Sequence, residues 1–128
     1  MARVKHWERK LDDYIEASRH KPFKWGSHDC ALFVAGAFDV LTNSKVQKKY
    51  KGKYESEITA RRMVKNGLLK EIDKYCPRLI NTYLAQRGDI VYYDKALGIC
   101  LGSKCAFVYS EGLAFIDLGK CKKAWRVE

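Results

Sequence analysis

The sequence predicts an α+β fold, with N-terminal helices packed on a C-terminal antiparallel sheet of about five strands. Three observations carry this. From about residue 7 to 76 the apolar residues recur at helical spacing, and from Gly88 onward they fall into short β-type runs between Gly- or Lys-containing turns. The 128 residues are 47% hydrophobic and 31% charged, with two prolines, no internal repeat and no low-complexity tract. They are expected to form one domain over 1–128, its helical part about 7–76 and its sheet part about 88–127.

Taken in order, Trp7, Leu11, Tyr14, Ile15 and Ser18 share one helical face, and Pro22 ends that run. A second helix is predicted from about Asp29 to Leu41, with Phe33, Val34, Ala37 and Phe38 on a wide apolar face; Ala35, Gly36 and Ala37 keep its middle slim enough for a sheet to pack close. Residues 45–54 read as a basic connection. Ser56 is an N-cap for a helix through Lys65, stopped by Asn66-Gly67, and Leu68 to Tyr75 gives another short helix ahead of Pro77. Residues 78–86 fit a short helix without clear caps. Strands are expected at 89–93, 97–101, 105–109, 113–117 and 124–127, connected as an antiparallel meander.

Chemistry concentrates in Pro22-Phe23-Lys24-Trp25-Gly26-Ser27-His28-Asp29-Cys30. Asp29 is a good N-cap, which puts Cys30 near the first helical position, where free N–H groups and the helix dipole favour a thiolate. Cys30 is therefore a candidate nucleophile; the alternative is a small core residue. A cysteine hydrolase needs an imidazole near its sulfur, and the chain has only His6, His20 and His28. His28 and His20 are weak candidate bases, each more readily read as a polar surface or loop residue, and His6 reads as an exposed terminal residue. Asp29 either caps the helix or orients a histidine. Trp25 lines a cleft or anchors packing, Gly26 supplies a conformation that a β-carbon would block, and Tyr92 is a polar tip or an ordinary strand residue.

The string Phe-x-Trp-Gly-x-x-Asp-Cys-x-x-Phe-Val, followed by Arg87-Gly88-Asp89-Ile90-Val91-Tyr92-Tyr93 and Leu97-Gly98-Ile99-Cys100-Leu101-Gly102, resembles the NlpC-type cell-wall peptidases, small papain-like cysteine hydrolases. The whole chain is also similar to small phage and prophage proteins of unassigned function carrying PFxWGxxDC, GD(I/V)V, ALGI and a terminal AWR, matched here by Ala124-Trp125-Arg126. The resemblance implies a papain-like fold with Cys30 at the nucleophile position. It also implies a departure: the strand residue aligned with the general-base histidine is Ala96, and the next strand, around Phe107-Val108-Tyr109, supplies no histidine either. The expectation is a virion protein, made in the host cytoplasm and attached to other tail proteins, with a degenerate hydrolase site. The alternative is a working peptidase or amidase on peptidoglycan peptides.

The net charge is +10, from 25 Lys and Arg against 15 Asp and Glu. Its densest patch comprises Lys45, Lys48, Lys49, Lys51 and Lys53, followed by Arg61 and Arg62. Interleaved with Tyr50 and Tyr54, these lysines fit a phosphate backbone with rings for stacking, a third reading, although no nucleic-acid motif accompanies them. The same charge suits an anionic cell-wall polymer or an acidic protein. Cys30, Cys76, Cys100, Cys105 and Cys121 are odd in number and lack C-x-x-C spacing, so no metal site, no cofactor and no disulfide framework is expected; Cys100 and Cys105 lie where adjacent strands would bring them close. No apolar run reaches membrane-spanning length, and the first residues lack the apolar core of a signal peptide.

Overall fold

Asp29 starts the central helix as the sequence predicts, its side chain accepting from the Leu32 N–H. The computed structural model describes residues 3–64 and 67–128. Among the described residues five α-helices come first: α1 (Trp7–Ser18), α2 (Cys30–Thr42), α3 (Gln47–Tyr50), α4 (Glu57–Met63) and α5 (Leu68–Tyr75). Six strands follow: β1 (Leu79–Ile80), β2 (Ile90–Tyr93), β3 (Ala96–Cys100), β4 (Lys104–Tyr109), β5 (Gly112–Asp117) and β6 (Lys123–Trp125). Ser56 caps α4 in a reciprocal arrangement with Thr59. The expected end of α4, at Lys65 and Asn66, lies outside the described residues.

Three expectations need correction. The basic connection contains the single turn α3, with Asp39 accepting from the Val46 and Gln47 N–H groups at its start. Residues 78–86 are not one short helix. They hold β1 and a 3-10 turn at Thr82–Leu84, whose start is fixed by Asn81 accepting from the Tyr83 N–H. The sheet has six antiparallel strands, in the order β1-β6-β2-β3-β4-β5, and only β2 to β5 form a meander. After β5 the chain crosses the sheet and inserts β6 between β1 and β2. That position buries Trp125, the largest fully buried side chain, and lets its indole donate to Asp73 on α5 at 3.0 Å.

Strand alternation divides the sheet into two faces. Ile90, Leu97, Ile99, Ala106, Val108 and Trp125 face α1 and α2, joining Leu11, Phe33 and Leu41 in the main core. Val91, Cys100, Cys105, Phe107 and Ala124 face the other way, forming a smaller cluster with Cys121. The helix that begins with Cys30 therefore lies against the middle of the sheet, beside β3.

Asp89, fully buried at the start of β2, ties the two ends of the chain together. One carboxylate oxygen accepts from Arg3 at 2.9 Å and from the Val127 N–H at 3.0 Å. The other accepts from the Gln86 N–H at 2.8 Å and lies 3.0 Å from the Arg126 guanidinium. Replacing this carboxylate leaves two partly buried arginines without their counter-charge, a change that costs about 3–5 kcal/mol in buried pairs. Asp89→Ala is expected to lower the urea midpoint accordingly; a shift equivalent to under about 1 kcal/mol, the level of a surface pair, would show that the termini are held by other means.

Candidate functional site

The site begins with a small loop. Lys24 and His28 exchange backbone hydrogen bonds at 3.0 and 2.8 Å, so Trp25, Gly26 and Ser27 form a tight turn ahead of α2. At the loop's other end the Phe23 N–H donates to the Tyr109 carbonyl, fastening it to the end of β4. Gly26 has φ +78°, and a β-carbon there would stand 1.9 Å from the Tyr54 carbonyl oxygen, so backbone conformation and close approach both require glycine.

Asp29, 1% exposed, holds these pieces together. Its Oδ1 accepts from the Leu32 N–H at 2.9 Å, and its Oδ2 accepts from the Gly26 N–H at 3.0 Å and the Tyr54 hydroxyl at 2.6 Å. Every partner is a backbone amide or a phenol. Tyr54, 7% exposed, stands in a polar stretch between Lys53 and Glu55, and nothing local links it to Asp29, 25 residues earlier. Burial, then the hydrogen bond to Asp29, pushes its phenol well above the usual range, so it remains a donor.

Cys30 follows at the first turn of α2 and opens onto a cavity of about 490 Å³, within the range of small-ligand pockets. The walls are largely apolar, including Val34, Phe38, Met63, Leu68, Ile72 and Ile90. Trp25, 37% exposed and edge-on to Phe23, stands at one side of it. Tyr50 and Tyr75 line another part; the Tyr50 hydroxyl donates to Glu71 and lies 3.1 Å from that of Tyr75. Arg61 and Lys95 add cationic groups. Lys95 belongs to the β2–β3 turn, where Asp94 and Lys95 both have positive φ; nothing in a two-residue polar turn marks it as a pocket residue.

At the sulfur, burial outweighs the helix start. Desolvation raises the Cys30 pKa, the Leu97 backbone hydrogen bond lowers it in part, and the neighbouring Asp29 charge raises it again. The sequence expectation of a favoured thiolate is therefore corrected: the same carboxylate that caps the helix opposes a second negative charge beside it.

None of the three histidines lines the cavity. His20 is exposed beyond α1, and His6 is exposed at the α1 N-cap in a left-handed conformation. The His28 ring turns toward Phe33, with centroids 6.1 Å apart, and its Nε2 is buried without a hydrogen-bond partner. Burial, with Lys21 nearby, lowers the His28 pKa. β3 does pass Cys30, but it presents the Leu97 backbone there. The Ala96 side chain packs with the cluster on the opposite face of the sheet. On the next strand, Phe107 faces that cluster and Val108 the main core.

The other sequence-selected residues are dispersed. Tyr92 packs against the main core and does not line the cavity. Lys45, Lys48, Lys49, Lys51, Lys53, Arg61 and Arg62 are exposed, Lys49 lying over the Tyr75 ring and Arg61 pairing with Glu57. Of the tyrosines among them, Tyr54 is buried on Asp29 and offers no free ring face, and half-buried Tyr50 donates its hydroxyl to Glu71. Among the described residues, no cluster of three or more His, Cys, Asp or Glu side chains is arranged to hold a metal ion, and no helix is long and apolar enough to cross a membrane.

Two outcomes test this arrangement. Tyr54→Phe removes a hydrogen bond to a buried carboxylate and is expected to cost about 2 kcal/mol in denaturant unfolding; a neutral result would show that Asp29 does not depend on Tyr54. His28 has a folded pKa below its unfolded value, so its contribution to stability is present above about pH 6.5 and is lost as pH falls through the folded value. His28→Gln should flatten the decline in stability just below pH 6.5, and an unchanged slope would contradict the buried, neutral imidazole.

No curated protein and no solved structure matches the chain at a significant level. One family model does, over residues 2–127, and by that match the chain belongs to the DUF6950 family, described as a domain of unknown function.

Proposed function

We propose that the chain is a papain-like, NlpC-type domain that keeps the cleft of a cysteine hydrolase without its proton-transfer chemistry, and that it serves as a binding or adaptor protein of a phage or prophage tail. One observation carries the loss of chemistry: a cysteine at a helix start opens onto a substrate-sized cavity, a strand passes its sulfur, and no imidazole lines that cavity. Thiol attack on an amide requires a base to take the thiol proton and an acid to return it to the leaving amine. Here the adjacent residue Asp29 is a carboxylate already engaged by three donors. The helix-first order, the antiparallel sheet and the motif order support the papain-like assignment. The tail location rests on the motif resemblance alone.

The reading is tested in two parts. Purified protein incubated with peptidoglycan and free stem peptides is expected to release no new amino groups, and Cys30→Ala is expected to behave identically. Cleavage that Cys30→Ala abolishes would establish the hydrolase instead. Particles purified from cells that encode the chain are expected to carry it at fixed copy number; recovery only in the particle-free lysate would remove the tail assignment.

A further inference from the structure

Three of the five cysteines lie together, away from the Cys30 cavity, on the sheet face opposite α2. Cys100 on β3 and Cys105 on β4 are directly opposed in register. Both backbone groups of Cys100 turn toward β2: its N–H donates to Asp89 and its carbonyl accepts from Gly88, each at 2.8 Å. The neighbouring pair carries the ladder bond, Leu101 N–H to the Lys104 carbonyl at 2.8 Å. Cys100 and Cys105 thus occupy a non-hydrogen-bonded position of the antiparallel ladder, where Cα atoms stand about 4.5 Å apart and side chains are closest. That spacing lies inside the window a disulfide spans, about 4.4–6.8 Å. Cys121, just after the 3-10 turn at Leu118–Lys120, is buried in the same cluster as Cys100 and Cys105. All three are free and buried.

We propose that Cys100 and Cys105 form a site of reversible oxidation, closed to a cross-strand disulfide by a small peroxide and opened again by thiols, with Cys121 as the exchanging third thiol. The Cys100 thiolate attacks one oxygen of hydrogen peroxide. The O–O bond breaks, the departing hydroxide takes up the thiol proton as water, and Cys100 becomes a sulfenic acid. The Cys105 sulfur then attacks the Cys100 sulfur; the S–O bond breaks, and hydroxide leaves with the Cys105 proton as a second water. Two thiols have lost two electrons and two protons, and the peroxide has been reduced to two waters. Attack of the Cys121 thiolate on the Cys105 sulfur moves the bridge to Cys105–Cys121 and frees Cys100, with no net redox change.

The electrostatics favour Cys100 as the first thiolate. The Cys100 thiol donates to the Gly102 carbonyl at 3.3 Å; the neighbouring Cys105 thiol holds Cys100 below the ordinary thiol range against burial, while Cys105 itself is pushed up. Cys30 and Cys76, which line the cavity beside α2, are both raised by burial. A buried pair suits a small oxidant better than a bulky disulfide.

Lys104 and Lys120 place the three cysteines on separate tryptic peptides, so linkage can be read directly. The folded protein is treated with hydrogen peroxide, denatured, alkylated and digested without reductant. The expected result is loss of two alkylatable thiols and of two hydrogens per chain, with the Cys100 and Cys105 peptides joined and a minor Cys105–Cys121 species. Dithiothreitol restores all five alkylated thiols. Cys121→Ser should remove the minor species and keep the main one. First oxidation at Cys30 or Cys76, or a sulfinic acid at Cys100 without linkage, would overturn the proposal. The wild-type peptide map decides even if a variant folds poorly.

Discussion

The buried carboxylate of Asp29 is the constraint around which the candidate site is built. It lies out of water at the start of the central helix, and three donors from three segments make that tolerable: the loop turn at Gly26, the first turn of α2 at Leu32, and Tyr54 ahead of α4. The same contacts set the geometry of everything nearby. They fix Cys30 at the helix start, stand Trp25 beside the cavity, and bring residues 52–54 against the 22–29 loop, where the Gly52 N–H also donates to the Gly26 carbonyl. This carboxylate has three of its roughly four lone-pair sites taken up by positioning, and none of its hydrogen bonds goes to a histidine. It also places a negative charge beside the sulfur, the opposite of what an activated thiolate needs.

A second buried carboxylate does the corresponding work for the sheet. Asp89 collects Arg3, Arg126 and the Val127 N–H, so both ends of the described chain converge at the start of β2. This convergence accounts for the strand order: β6 lies between β1 and β2, bringing Arg126 and Val127 within reach of Asp89. In sequence Asp89 is simply the Asp of a Gly-Asp-Ile-Val motif. Its importance depends on partners 86 residues before it and 38 residues after it.

What was legible in the sequence was local. The span of α1, the Asp29 and Ser56 caps, α5 and the β2–β5 meander follow from periodicity and capping chemistry within a few residues. The crossing of β6 was not legible, because three residues carry no register and their place is decided by where Trp125 and Arg126 find partners. The site was legible in its loop and its cysteine. Its far wall was not: Tyr54, Glu71 and Lys95 lie in segments whose local chemistry is that of exposed polar chain. Tyr54, one of the rings that the basic run offers for stacking, is instead buried on Asp29, which is remote from it in sequence. The thiol row on the opposite sheet face shows the converse, since the two strand cysteines were foreseeable as neighbours and only Cys121 required the fold.

The central claim is that Cys30 has the setting of a nucleophile and the electrostatics of a core thiol. The most direct measurement is the pH dependence of Cys30 alkylation by iodoacetamide in the native protein, followed at the Cys30 peptide by mass spectrometry. The account predicts slow reaction at neutral pH and a rate rising only on the alkaline side of the ordinary thiol range of about 8–9. A fast reaction at pH 6–7, with a second inflection from an imidazole, would reveal a thiolate–imidazolium pair and contradict it.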